Sequence, residues 1–163
     1  MNNNGNDPVN YEDLMLRIDK DPTRYVRAYA CYSLQAAADI AAVNGSASPS
    51  VKIDSASLFV WTKGAYFCDI AAGAQTDSSR VIPLMTVQLS DSGSERQLFD
   101  RAQPISSVFG TGEIPAILPV PYLFQKSSTL QALITNFSAA TVYRNTMLTL
   151  IGYRVYDLKP NAG

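Results

Sequence analysis

Two stretches of this chain change side-chain character at every second residue, a period that only a strand produces over such lengths. In the first, Val26, Ala28, Ala30, Tyr32 and Leu34 form one set, and Tyr25, Arg27, Tyr29, Cys31, Ser33 and Gln35 form the other. In the second, Met147, Thr149, Ile151, Tyr153 and Val155 alternate with Thr146, Leu148, Leu150, Gly152, Arg154 and Tyr156. Successive side chains on a strand point to opposite faces, so each set reads as one face of a sheet.

Shorter strand signals fill the space between. Residues 36–43 are alanine-rich and are expected as a second short strand, followed by a turn-rich loop at Asn44-Gly45. Residues 51–54 form a short strand, and residues 58–62 a stronger one rich in β-branched and aromatic residues. Lys63-Gly64 marks a bulge, after which residues 65–70 continue as strand. Residues 73–80 read as a polar loop. Residues 84–89 form the next strand, and 96–100 can pair back across a turn at 91–94. Residues 129–136 complete the set. The total is about eight strands, at the spacing of a sandwich or jelly roll. The predicted fold class is all-β, a single antiparallel β-sandwich or jelly-roll-like domain over residues 24–158 with a short tail at 159–163.

Residues 1–23 differ and are expected as an arm. Leu14, Leu16 and Ile18 fit a two-residue period, whereas Tyr11, Leu14, Met15 and Ile18 fit a helical face, and ten residues accommodate both. Asn10 can cap a helix, with Asp13 in its first turn. Asp21-Pro22 ends the element in either case. Such an arm can dock on its own sandwich or on a neighbour.

Residues 104–121 hold four prolines, at 104, 115, 119 and 121, with glycines at 110 and 112. Proline gives no donor to a ladder, so this stretch is expected as a long loop or an edge segment. Its apolar residues need something to pack against. The expected assembly contacts are therefore Tyr11, Leu14, Leu16 and Ile18 in the arm, and Phe109, Ile114, Tyr122 and Phe124 in and beside the proline-rich stretch. The alternative is that the second group seals one end of its own core.

Composition removes several classes of function. Histidine is absent, which excludes Ser-His-Asp and Cys-His catalysis and histidine metal ligands. Two cysteines, Cys31 and Cys68, are too few for a structural zinc site, and both lie in apolar strand-like runs where a free thiol acts as a small buried hydrophobe, with a disulfide between them as the alternative. The 13 basic and 14 acidic residues leave no cationic excess for a phosphate backbone, so no nucleic-acid partner is expected. The polar N-terminus lacks a signal-peptide pattern, and no run approaches the ~18 apolar residues of a membrane span. The Gly110-Thr-Gly112 pair lacks the third glycine and βαβ setting of a nucleotide loop. Residues 91–95 lack the acidic spacing of a calcium loop and read as a turn. No pair of carboxylates stands out, so no catalytic residue, cofactor or metal is assigned. Only 17% of residues are charged, below the usual quarter, so part of the surface is expected to be covered by neighbours.

Three segments carry a family resemblance. VQLSDSGSERQLFD (87–100), FGTGEIPAILPVPYLFQKSSTLQALITN (109–136) and TLIGYRVYDL (149–158) resemble the small capsid-associated β-sandwich proteins of tailed bacteriophages, of the cement or decoration type. The resemblance covers roughly the last half of the chain. It implies a virion location, with the capsid surface favoured, after synthesis in the host cytoplasm. It also implies a partner in the major capsid protein or another virion protein. Self-association is expected with it, as a trimer, because trimers fit threefold lattice positions and closed symmetry hides strand edges. The alternative is a collar or appendage protein that reads a receptor or carbohydrate through aromatic side chains such as Trp61 and Tyr122.

Overall fold

A computed structural model describes residues 10–70 and 82–158. The elements begin with α1 (Tyr11–Lys20), β1 (Tyr25–Gln35), β2 (Ser46–Ala47), β3 (Ser50–Lys52), β4 (Ser57–Ile70) and β5 (Met85–Asp91). They continue with β6 (Arg96–Gln97), β7 (Gln103–Pro104), α2 (Ile105–Val108), β8 (Ala116–Phe124), β9 (Thr129–Asn136) and β10 (Tyr143–Asp157).

The long alternating segment at the C-terminus is the spine of one sheet. β10 pairs antiparallel with β1 in one unbroken register, from Tyr25 opposite Asp157 to Gln35 opposite Met147. The start of that ladder is held by a two-pronged ion pair, Arg24 Nε to Asp157 Oδ1 at 2.7 Å and Nη2 to Oδ2 at 2.6 Å. On its other side β10 pairs with β4, and β8 closes the sheet, giving the order β1-β10-β4-β8. The bulge expected near Lys63-Gly64 is present, since Thr62 stands between Trp61 opposite Gly152 and Lys63 opposite Ile151. Gly152 permits it: a Cβ there would lie 1.9 Å from the carbonyl oxygen of Val60.

The second sheet is built on β9 and β5, which pair from Met85 opposite Asn136 to Asp91 opposite Leu130. Short strands flank them, β2 and β3 on β9 and β6 and β7 on β5. The two sheets face each other across a core in which Leu34, Phe59, Trp61, Leu148 and Leu150 meet Val87, Leu89, Leu130, Ala132 and Ile134. The fold is thus an all-β antiparallel sandwich. Among the described residues it has ten strands where about eight were expected: β2 and β7 are two-residue pairings too short to leave a periodic signal, and β8 lies in the proline-rich stretch.

Two local readings need correction, and residues 104–121 take the edge-segment reading over the loop. Residues 36–43 form no strand; Ile40 alone bridges to Tyr143, and the chain then turns. The strand signal at 36–43 was composition without alternation. Residues 104–121 are not one long loop: they contain the single turn α2 and the first part of β8, which is the edge strand the prolines allow. Cys31 is exposed rather than buried, because it belongs to the outward set of β1, and both cysteines are free.

The described part of the arm is a helix. Asn10 caps it as expected, its side chain accepting from the Asp13 N–H at 2.8 Å, and Asp21 ends it. A ten-residue helix is marginal alone. Here Leu14 and Ile18, with Tyr11 and Met15 beside them, pack on Val60, Leu123 and Val155 of the outer face of the first sheet. Burying Leu14 and Ile18 is worth about 2 kcal/mol each. That docking on the chain's own sheet decides the helical period over the alternating one.

Candidate assembly surface

The proline-rich stretch is anchored inside and presented outside. Phe109 is fully buried and stacks on Trp61, with ring centroids 5.9 Å apart. The next residue is clamped to β4: the Gly110 N–H donates to the Gly64 carbonyl at 3.0 Å, and the Tyr66 N–H donates to the Gly110 carbonyl at 2.8 Å. The chain then folds back on Gly110 so closely that a Cβ there would lie 2.0 Å from the Ile114 oxygen and 2.4 Å from the Ala116 nitrogen. The Ile114 N–H donates to Thr111 Oγ1 at 3.2 Å, which fixes the tip. Beyond it, β8 pairs at Ala116–Ile117, leaves the ladder through Pro119 and Pro121, and rejoins at Tyr122 opposite Trp61. Proline limits the backbone freedom of this excursion. The result is a stiffened ridge on which Ile114, Ile117 and Val120 are 72%, 73% and 70% exposed.

A second apolar group lies at one end of the other sheet. Leu84 and Phe137 are joined by a backbone bond from the Phe137 N–H to the Leu84 carbonyl at 2.9 Å, and both are exposed. Val43 joins them through its N–H to the Ser138 carbonyl at 2.9 Å, and Ile82 is exposed two residues before Leu84. Val43 and Asn44 have positive φ, 59° and 65°, a conformation that costs a β-branched residue more than most.

The outer face of the first sheet is only partly covered by α1. On the uncovered part lie Cys31 and Ser33 of β1, Phe67 of β4, and Met147, its cross-strand partner on β10. Tyr29 stands 78% exposed at this edge, its hydroxyl accepting from the Cys31 thiol at 2.9 Å. The outer face of the second sheet is more polar, with Thr86, Gln88, Ser90, Gln131 and Thr135 around a half-exposed Leu133.

The sequence-predicted contacts divide sharply. Leu14 and Ile18 are buried beneath α1, and Phe109 and Phe124 are fully buried in the sandwich core, so these four hold the chain's own fold, which for Phe109 and Phe124 is the alternative left open by the sequence. Tyr11 is half-buried beside them. Tyr122 is half-buried against Phe124, and its hydroxyl donates to Asp91 Oδ2 at 3.1 Å. Leu16 and Ile114 are exposed. The structure brings Phe109, Tyr122 and Phe124 together around Trp61 and places the arm residues on the opposite face of that sheet. Sequence reasoning missed Ile117, Val120, Tyr29, Val43, Leu84 and Phe137. Strand parity could have found Tyr29 and Ile117, and no sequence signal marks the others.

The conspicuous polar groups are committed to local structure. Asp91 is almost fully buried and accepts from the Gly93 N–H, the Ser94 hydroxyl and the Tyr122 hydroxyl, each at about 3 Å, which makes residues 91–94 the expected turn. Asn136 is fully buried and donates through Nδ2 to the carbonyls of Ile40, Ala41 and Thr141 at 3.2, 3.0 and 2.8 Å. Burial, with the neighbouring Asp69 charge adding to it, pushes the Cys68 thiol up to about 12. No family model matches the chain, and no curated protein matches it.

Proposed function

We propose that the protein is a bacteriophage virion structural subunit of the cement or decoration type, which attaches already folded to capsid subunits and bridges them. It acts by contact area and shape, not by chemistry. The observation that carries this reading is the ridge of Ile114, Ile117 and Val120. Three large apolar side chains are each about seven-tenths exposed on a backbone fixed by Phe109, Gly110 and three prolines. Apolar groups held out by a rigid support lose little conformational freedom on docking, which favours affinity. The same segment carries part of the resemblance to decoration proteins.

An appendage that stacks sugar on Trp61 or Tyr122 has less support. Trp61 is 1% exposed with its indole N–H donating to the Lys63 carbonyl, and the Tyr122 hydroxyl is engaged by Asp91 and Ser94.

Purified particles of the virus that encodes the chain supply the test. The protein should be found in them by mass spectrometry and antibody labelling, at one repeated position on the head. Ile114→Asp and Ile117→Asp should abolish occupancy while leaving the circular dichroism spectrum unchanged. Particles that lack the protein would overturn the assignment.

A further inference from the structure

Among the described residues the first sheet has one open edge and one edge interrupted by prolines. At the interrupted edge, β8 carries Pro119 and Pro121 and leaves its own ladder between Ile117 and Tyr122. At the open edge, β1 is eleven residues long, has no proline, and among the described residues is paired on one side only. The edges of the second sheet are strands of two or three residues. Long unpaired edges template further strands, and proteins ordinarily blunt them with prolines, charge or brevity. β1 carries one charged residue, Arg27, and is the least blunted of the described edges.

The hydrogen-bond parity of β1 follows from its ends. The Leu158 N–H donates to the Arg24 carbonyl, and the Ala36 N–H donates to the Thr146 carbonyl. The register between them is unbroken, so the even-numbered residues exchange bonds with β10. The N–H and C=O groups of Arg27, Tyr29, Cys31 and Ser33 therefore point to the open edge.

We propose that β1 pairs antiparallel with β1 of a second copy, joining two four-stranded sheets into one continuous sheet about a two-fold axis. A head-to-tail arrangement would need β1 to pair with the β8 edge, which the prolines prevent, so the contact is isologous and closes as a dimer. Full overlap of Tyr25–Gln35 with itself puts Ala30 on the axis. Tyr29 then stands opposite Cys31 of the second copy, and Arg27 opposite Ser33. All four are odd-numbered, as the bonding parity requires. The partner assignment deepens the self-association expected of a decoration protein but does not depend on the virion location, and it replaces the trimer with a dimer.

Three substitutions at outward-facing positions test the edge and its register. Sedimentation velocity should give a dimer mass for the native chain at micromolar concentration. Ser33→Arg places like charges opposite Arg27 and should weaken the dimer at least tenfold, whereas Ser33→Glu should tighten it, both with unchanged circular dichroism. Tyr29→Cys brings a thiol opposite Cys31 of the second copy at a Cα separation of about 5.5 Å, within disulfide range, and mild oxidation should give a covalent dimer. A monomer or trimer mass for the native chain, or equal responses to Ser33→Arg and Ser33→Glu, overturns the proposal. Absence from virus particles would leave the solution dimer standing and would count against the decoration role alone.

Discussion

Phe109 stacks on Trp61 at a centroid separation of 5.9 Å, and both rings are closed off from solvent. The contact ties the proline-rich ridge to the core, because Gly110 follows Phe109 directly and is bonded on both sides to β4. Phe109→Ala should cost about 3–5 kcal/mol, the range for deleting a buried aromatic ring. Phe109→Leu should cost less, since it keeps most of the volume. Urea denaturation measures both, and a loss under about 1 kcal/mol for the alanine variant would mean that the site collapses onto the cavity.

Asn136 is the polar counterpart of that anchor. Its amide supplies donors to three carbonyls from two loops, and its Oδ1 accepts from the Ser138 N–H at 2.8 Å. Asn136→Ala removes the side-chain partner of the Ala41 and Thr141 carbonyls and of the Ser138 N–H, while the Ile40 carbonyl keeps the Tyr143 N–H, at about 1–3 kcal/mol for each group that neither water nor another donor reaches. Asn136→Asp keeps the acceptor but aims a carboxylate at three carbonyls, so it should be at least as damaging. Thermal unfolding should show both variants well below the native chain. Equal stability of native and aspartate forms would refute the donor assignment.

How much was legible depends on whether the information is local. The period of two in residues 25–35 and 143–157 gave both long strands nearly to their ends, because one face of each is buried and parity shows in the residue types. Asn10 marked the start of α1 because a cap is a matter of one side chain and the N–H three residues on. Phe109 and Phe124 stood undecided between partner contact and core for the opposite reason. Apolarity says that a side chain needs cover, and only the pairing of β8 with β4 shows that the cover is the chain's own core. Leu123 illustrates the point, since it lies between core residues Tyr122 and Phe124 but faces α1. The open edge of β1 was unreadable for the same reason: strand order is set by long-range pairing, which leaves no trace in the sequence of β1 itself.

The two thiols should separate cleanly in reactivity. Thiolate is the nucleophile, and Cys68 is buried with its thiol pushed up to about 12, so almost none is ionised at pH 8. Cys31 is on the exposed face of β1. A disulfide reagent at pH 8 should therefore modify one thiol per chain quickly, and peptide mapping should place the label on Cys31. Cys68 should react only after denaturant is added. The sign of the pH dependence follows: the folded state holds its Cys68 proton above the ordinary value of 9.0, so this group makes stability fall as pH rises from there towards 12. Fast labelling of both thiols in the native protein would contradict the packing around Cys68.

Val43 combines strain with exposure. Its φ of 59° is left-handed, where the branched Cβ meets backbone, and its side chain is 67% exposed and contributes little to the core. Asparagine tolerates this region and favours turns. Val43→Asn should therefore raise stability by about 1 kcal/mol, the scale of the left-handed penalty, as measured by urea midpoint at constant slope. Residues that hold strain without stabilising the fold tend to serve a contact. Val43 is bonded beside Phe137 and near Leu84 in an exposed apolar group, so under the proposed decoration role the same variant should bind assembled particles more weakly than the native chain despite being more stable. A variant that gains stability and keeps full occupancy would remove Val43 from the assembly surface. One that loses stability would show that the valine methyl groups contribute more to packing than the backbone strain takes away.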